Sequence, residues 1–141
     1  MALLVASPIL VAAGATTWGL VTGQLKAQRI QVHPDSPRLV GKSVGGPITA
    51  FTQAAVIEKH AAHLAGGRTF AEISEEWLEA TRSGDTARAE ELAGPRQMMM
   101  QANFLRTSLF VSVLAYGVSA LTIGVGVLVG IVGSTLASPN R

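Results

Sequence analysis

Charged residues are absent from both ends of this chain and crowded into its middle. Residues 1–25 and 107–140 contain no Asp, Glu, Lys or Arg, whereas all nine acidic residues and ten of the eleven basic ones lie between Lys26 and Arg106. A domain that folds in water spreads charge over its whole surface. The segregation therefore indicates that the two ends contact an apolar solvent, and it predicts an integral membrane protein.

The first apolar end, residues 1–25, is long enough to cross a bilayer as a helix, since about 20 apolar residues span a ~30 Å hydrocarbon core. Ser7 can cap the first free amides and Pro8 suits a first helical turn, which predicts a spanning helix from Pro8 to Leu25. The alternative is a cleaved signal peptide. Such peptides carry a basic segment ahead of the apolar run, however, and nothing basic precedes Lys26.

The second apolar end, residues 105–137, is longer than a bilayer requires. At ~1.5 Å per residue, a helix over this range should tilt or project beyond the hydrocarbon. Residues 138–141, which contain Pro139 and Asn140, form a short tail. Two spans predict a multi-pass protein of the cell membrane with both termini on the same side.

Small residues recur along both apolar ends at spacings that place them on one helical face. They are Ala15, Gly19 and Gly23 in the first end and Ser112, Ser119, Gly126, Gly130 and Gly133 in the second. Because apolar helices gain little from the hydrophobic effect inside lipid, close approach over small residues favours their association. The pattern predicts an antiparallel hairpin, although the same surface could bind another subunit, and glycine is common in membrane helices generally.

The segment between the ends, residues 26–104, is polar and mainly helical. Its first part contains Pro34, Pro37 and Gly41, which are typical of extended chain and turns. Apolar residues at helical spacing then predict a helix over residues 48–65.

Further helix signals fill the rest of the middle segment. Thr69 and Glu72 form a capping-box pattern, which predicts a helix that ends near Ser83. Asp85 can cap another helix, which Gly94-Pro95 should interrupt because proline lacks the N–H that an interior helical position needs. The predicted fold class is an all-α membrane protein with two transmembrane helices as an antiparallel hairpin and a mostly helical polar segment between them.

His60 and His63 form the pair that most resembles a metal or proton-handling site, because residues three apart share a helical face. A zinc or iron site needs a third and usually a fourth ligand, and His33 is the only other histidine. We therefore expect a solvated helix surface, with no cofactor and no catalysis. The alternative is a metal-binding protein or enzyme that uses this pair together with ligands from a partner.

Composition and charge argue against several other classes. The net charge of +2 arises from interleaved acidic and basic residues, which is not the clustered basic face of a nucleic-acid-binding protein. The chain contains no cysteine, so disulfides and thiolate chemistry are excluded. Residues 1–25 and 107–137 carry no Asp, Glu, Lys, Arg or His, the side chains that ion and proton pathways need, which argues against a channel or transporter.

Three stretches, AFTQAAVIEKHA (50–61), GGRTFAEI (66–73) and NFLRTSLFVSVLAYG (103–117), resemble sequences of a group of small actinobacterial membrane proteins. The resemblance covers most of the chain and implies two spans with a polar loop. Members are often labelled aromatic ring-opening dioxygenase, a label that implies a soluble iron enzyme. The resemblance assigns no functional role to individual residues.

The features together predict a noncatalytic accessory or assembly subunit of a larger membrane complex. Its expected partners are the lipid bilayer and other membrane-protein subunits, which the small-residue faces and the helical middle segment would contact. Basic residues such as Lys26, Arg29, Arg96 and Arg106 flank the loop side and favour a cytoplasmic loop, but loops longer than ~60 residues escape this rule. The side on which the middle segment lies is therefore left open.

Overall fold

The computed structural model describes residues 2–138 and consists of four helices. They are α1 (Ala2–Ala27), α2 (Pro47–Leu64), α3 (Phe70–Ser83) and α4 (Thr86–Ala137). Over residues 2–138 there is no named strand, and the only β-type pairing is an isolated antiparallel bridge between Gln31 and Ser43. The all-helical class is confirmed, and two helices, α1 and α4, are long and apolar enough to cross a membrane. Residues 139–141 of the predicted tail lie outside the described part.

Two predicted helix boundaries are wrong, and both involve proline. α1 begins at Ala2 and carries Pro8 in its interior, whereas α4 continues through Pro95 without the expected interruption. A proline removes one intrahelical hydrogen bond, but packing on either side of it can offset that loss. At Pro95 this packing is visible, because Leu92 and Met99 are both buried in one apolar cluster.

The long helix α4 is the element on which the other three helices pack. It contains 52 residues, which at ~1.5 Å per residue extends about 78 Å. The other three helices each pack on α4, and over residues 2–138 they make no comparable contact with one another. α3 lies beside the first part of α4, α2 beside its middle and α1 beside its last part, so the fold is an elongated stack along one helix.

Capping residues fix both ends of α3. The Glu72 amide donates to Thr69 Oγ1 (3.2 Å) and the Thr69 amide donates to the Glu72 carboxylate (2.7 Å), which confirms the predicted capping box. The hydrogen bond from the Thr69 amide, followed by that from its hydroxyl, lowers the pKa of Glu72. α3 ends at Gly84 with a φ of +77°, a left-handed conformation that glycine adopts without strain.

Close contacts join α1 to α4 at four levels. They pair Leu3 with Gly133, Ser7 with Gly130, Val11 with Gly126 and Gly14 with Ser119. Because the residue numbers rise on one helix as they fall on the other, the two helices run in opposite directions. A Cβ atom built on Gly126 would lie 2.9 Å from Val11 Cγ2, and one built on Gly14 would lie 2.8 Å from the Ser119 carbonyl oxygen.

The small residues of α4 and those of α1 are placed differently. Ser119, Gly126 and Gly133 are buried, and Gly130 is half-buried beside Ser7. By contrast Ala15, Gly19 and Gly23 are exposed, and a Cβ on Gly19 or Gly23 would meet nothing within 4 Å. On α1 the contact is made by Gly14 and by larger side chains that pack against the α4 glycines. Small residues on one helix of a pair are enough to let the two backbones approach closely.

Alanine at Gly14 should destabilise the α1–α4 contact, whereas alanine at Gly19 should not. The new methyl group at Gly14 would press on Ser119 backbone, which cannot rotate away, while at Gly19 it would enter open space. Gly-to-Ala also favours a helix by up to about 1 kcal/mol, so Gly19→Ala should be neutral or stabilising. Thermal unfolding of the two variants in the same detergent measures the difference, and equal transition temperatures would contradict the contact.

Candidate functional site

A large apolar surface covers α1 and the last part of α4. In the most apolar 18-residue stretch of each helix, only 6% of α1 and 11% of α4 is buried. The core helix of a water-soluble domain would be mostly buried. The exposed large side chains of this surface are Leu3, Leu4, Val5, Ile9, Leu20, Val118, Leu121, Val125, Val127, Leu128, Ile131, Val132 and Leu136. A continuous exposed apolar surface of this extent requires a cover of lipid or protein.

Tyr116 lies where the loop before α2 meets α1 and α4, and exposed apolar side chains of α4 continue past it at Val111 and Leu114. Its ring is 1% exposed and lies edge-on to Trp18, with centroids 4.6 Å apart. Its hydroxyl donates to the Gly45 carbonyl (3.3 Å) and bonds the Thr22 hydroxyl (2.8 Å). This single side chain therefore joins α4 to α1 and to the loop before α2.

Ion pairs lie on the other side of Tyr116, in the part of the molecule that contains α2 and α3. Arg106 pairs with Glu58 across α4 and α2 (3.0 Å), and its guanidinium lies over the Phe110 ring. Further along, Glu76 on α3 accepts bonds from two arginines at 3.0 Å each, Arg68 and Arg88. The pairs are partly exposed and their individual contributions to stability are small. They all lie between residues 58 and 106, within the region that we call the stalk (residues 26–116).

Arg96 is held between aromatic rings in the stalk. Its guanidinium carbon lies 4.5 Å from the Trp77 centroid and 5.7 Å from the Phe70 centroid. Both rings lie on the apolar face of α3, on which Ile73 and Ala80 are buried. A cation over an aromatic face contributes about 0.5–1 kcal/mol at an exposed site, so α3 is attached to α4 by stacking as well as by apolar burial.

An apolar groove of about 740 Å³ runs along the stalk just beyond Tyr116. Its lining comes from α1, α2 and α4, includes Leu20, Leu105, Leu109, Ser112 and Ala115, and contains no charged side chain. Three amides, Gln24, Gln28 and Gln53, supply the main polar groups. Ser112, a predicted packing residue, thus lines this groove. The groove suits an apolar occupant with a few hydrogen-bonding groups.

A cluster of two histidines and one carboxylate lies where the loop before α2 crosses that helix. His60 Nε2 lies 2.8 Å from Asp35 Oδ2, and His33 Nδ1 lies 3.6 Å from the same oxygen. The two imidazole rings meet edge-on with centroids 4.7 Å apart. These donor atoms are of the types that bind first-row transition-metal ions.

The cluster differs from the pair that the sequence suggests. His63 is exposed and is not among the three residues whose donor atoms converge, while His60 turns toward the loop. Sequence reasoning overlooked Asp35, which is separated from His60 by 25 positions. The only local signal is the His-Pro-Asp order of residues 33–35 in a stretch predicted to turn, which is too short to indicate a site by itself.

Comparisons with protein-family models, curated proteins and solved structures return no match for this chain. The resemblance to small actinobacterial two-span proteins therefore stays a prediction. What the chain does has to be argued from the apolar surface, the groove and the histidine cluster.

Removal of the Tyr116 hydroxyl should loosen the junction of α1, α4 and the loop. Tyr116→Phe keeps the ring against Trp18 but leaves the Thr22 hydroxyl and the Gly45 carbonyl without this partner, at a cost of about 1–2 kcal/mol. Hydrogen exchange should then accelerate at residues 43–46. Thr17→Val is a suitable control, because the Thr17 hydroxyl bonds only the Ala13 carbonyl of its own helix. Unchanged exchange in Tyr116→Phe would contradict the role of the junction.

Proposed function

We propose that this chain is a two-span protein of the cell membrane in which α1 and the last part of α4 form an antiparallel transmembrane hairpin. The observation that carries the proposal is the exposed apolar surface of both helices, which lacks charge along its whole length. Lipid is the solvent that covers such a surface at no cost in free energy. The reverse pairing of Leu3 with Gly133 and Gly14 with Ser119 supports the hairpin.

The boundary of the hydrocarbon is proposed to lie at Tyr116 on α4 and at Val21 on α1, within one helical turn of Trp18. Residues 117–137 of α4 extend about 31 Å and residues 2–21 of α1 about 30 Å at ~1.5 Å per residue, which matches a ~30 Å core. Trp and Tyr are enriched where hydrocarbon meets headgroups. Residues 105–116 then project beyond the bilayer as part of the stalk. Both termini lie on one side of the membrane and the stalk lies on the other.

Cysteine labelling tests this boundary, because the natural chain contains no cysteine. Val40→Cys, on the loop before α2 and away from the groove, should react with a charged, membrane-impermeant maleimide when the stalk side of the membrane is accessible. Leu121→Cys, which is at least as exposed in the structure, should not react because lipid covers it. The expected difference in labelling rate is at least tenfold.

Two controls make the labelling decisive. Both variants should react fully after denaturation in SDS, which shows that each thiol is intact. Alkaline carbonate should leave the wild-type chain in the membrane pellet. Equal labelling of both positions in membranes, or extraction by carbonate, would refute the membrane placement.

We further propose that the protein is noncatalytic and acts as an accessory or assembly subunit of a membrane complex. Support comes from apolar residues that stay exposed on the stalk, beyond the proposed boundary, where lipid does not cover them. Phe104 and Leu105 on α4 and Leu64 on α2 are more than half exposed. Exposed apolar groups in an aqueous setting are typical of protein contact surfaces.

The proposed occupant of the apolar groove is a transmembrane helix of a partner subunit. The groove begins at Leu20 and Ala115, next to the proposed boundary, so a neighbouring helix that leaves the bilayer would enter it directly. Ser108, Ser112 and Ala115 leave room for a helix backbone to approach α4. The amides of Gln24 and Gln28 can bond a polar group near the end of that helix.

Photo-crosslinking tests the accessory role. A benzoylphenylalanine at Leu105 should attach the chain to one integral membrane protein in native membranes, and that protein should copurify in the reciprocal direction. Ser112→Phe fills the groove and should abolish the adduct, whereas Ser83→Phe on α3, away from the groove, should not. Adducts with lipid only, or recovery of the chain only as an isolated monomer, would contradict the proposal.

A further inference from the structure

Side chains from two distant parts of the chain converge on one oxygen atom of the stalk. His33 and Asp35 belong to the loop between α1 and α2, and His60 belongs to α2. One nitrogen of each histidine and the Asp35 carboxylate lie within 4.8 Å of one another. A hydrogen bond between Asp35 and His60 accounts for that pair alone. A second hydrogen bond, from the Asp35 amide to His33 Nδ1 (3.2 Å), holds the third group beside them.

The loop holds His33 and Asp35 in place by its own backbone. The Val32 amide donates to the Lys42 carbonyl (2.9 Å), and the Ser36 amide donates to the His33 carbonyl (3.0 Å). The His33 amide donates to Gln53 Oε1 on α2 (3.0 Å). Val32 and Ser36 are buried on either side of the cluster. A ligand set held in this way loses little conformational freedom when it binds an ion.

The spacing of the donor atoms is close to that of a tetrahedral zinc site. Ligands at 2.0–2.1 Å from Zn²⁺ lie about 3.3 Å from one another. The separations of 2.8 and 3.6 Å from Asp35 Oδ2 bracket this value, and the two histidine nitrogens lie within 4.8 Å of each other, so side-chain rotations would bring all three atoms to it. The ion would replace the proton between Asp35 and His60 and would take over the His33 Nδ1 lone pair, which now accepts the Asp35 amide at 3.2 Å.

We propose that His33, Asp35 and His60 bind one Zn²⁺ ion, with water as the remaining ligand, and that the ion fixes the loop to α2. The side chains are 46%, 59% and 37% exposed, so the site lies at the surface and does not enclose a substrate. The site goes beyond the proposed accessory function and is independent of it, because it lies in the stalk and involves neither the hairpin nor the groove.

Calorimetric titration of the full-length protein in detergent with zinc sulfate tests this site. The protein must be purified without a polyhistidine tag. The wild type should bind one Zn²⁺ per chain, and His33→Ala, Asp35→Asn and His60→Ala should each weaken binding at least tenfold, since even indirect supporting groups of metal sites cost 10–100-fold when lost. His63→Ala is the matched control. It alters an exposed histidine one turn further along the same helix, and it should bind as the wild type does.

A second measurement does not depend on the variants. Co²⁺ added to the wild type should give the visible absorption of a low-symmetry four-coordinate site, and Zn²⁺ should displace it. Zn²⁺ should also slow hydrogen exchange at residues 32–44. The proposal is overturned if the wild type shows no saturable binding, if His63→Ala loses as much affinity as His60→Ala, or if His33→Ala retains it. If the wild type binds no Zn²⁺ but still inserts into the membrane and crosslinks to its partner, the zinc site is refuted and the proposed function is not.

Discussion

The continuity of α4 is the constraint on which the rest of the structure depends. α1, α2 and α3 each pack on this helix, and across residues 2–138 they make no comparable contact among themselves. Each therefore reaches a stable position only because α4 continues past it. At Pro95 this continuity is maintained by Leu92 and Met99, which are buried in the same apolar cluster as Ile73 of α3. A break there would separate the α3 contact from the α2 contact.

The means of packing changes along α4 at Tyr116. On the stalk side, apolar burial is combined with ion pairs and stacking, as at Arg96 against Trp77 and at Arg106 with Glu58. On the other side, α1 approaches so closely that a methyl group at Gly14 would touch Ser119 backbone. The hydrophobic effect drives association in water, whereas in lipid it gives little, and close van der Waals contact replaces it. The change in packing thus agrees with the proposed change of solvent.

Local chemistry is what the sequence predicts well. The helical class follows from periodicity, and the capping box of Thr69 and Glu72 is correct because both partners lie within one turn. The two proline boundaries fail because distant packing outweighs a local signal. On α2, Leu64 follows the apolar helical spacing of residues 48–65 but is 70% exposed, since Ala61 and Ala65 take up the contact there. On α1 the helical spacing of Ala15 and Gly19 is real, but it does not reveal which face the partner helix will meet.

The histidine cluster shows that sequence spacing also fails to predict a candidate site whose residues come from distant parts of the chain. Adjacent turns bring His60 and His63 to one side of α2, and sequence spacing can detect only such neighbours. The position of Asp35 depends on how the loop folds back, which is set by the burial of Val32 and Val44 in the cluster around Tyr116. No pattern within the loop encodes that tertiary contact.

The loop that joins α1 to α2 determines how the stalk is placed relative to α1. Tyr116 bonds Gly45 at one end of it, and Gln53 bonds the His33 amide further along α2. The aliphatic part of Lys26 lies against Gly45 at the end of α1. These contacts fix the first turn of α2 at a set height above the proposed boundary. A partner helix that leaves the bilayer beside α1 would therefore meet the groove at a fixed position, and an ion bound at Asp35 would fix the loop to α2 further along that helix.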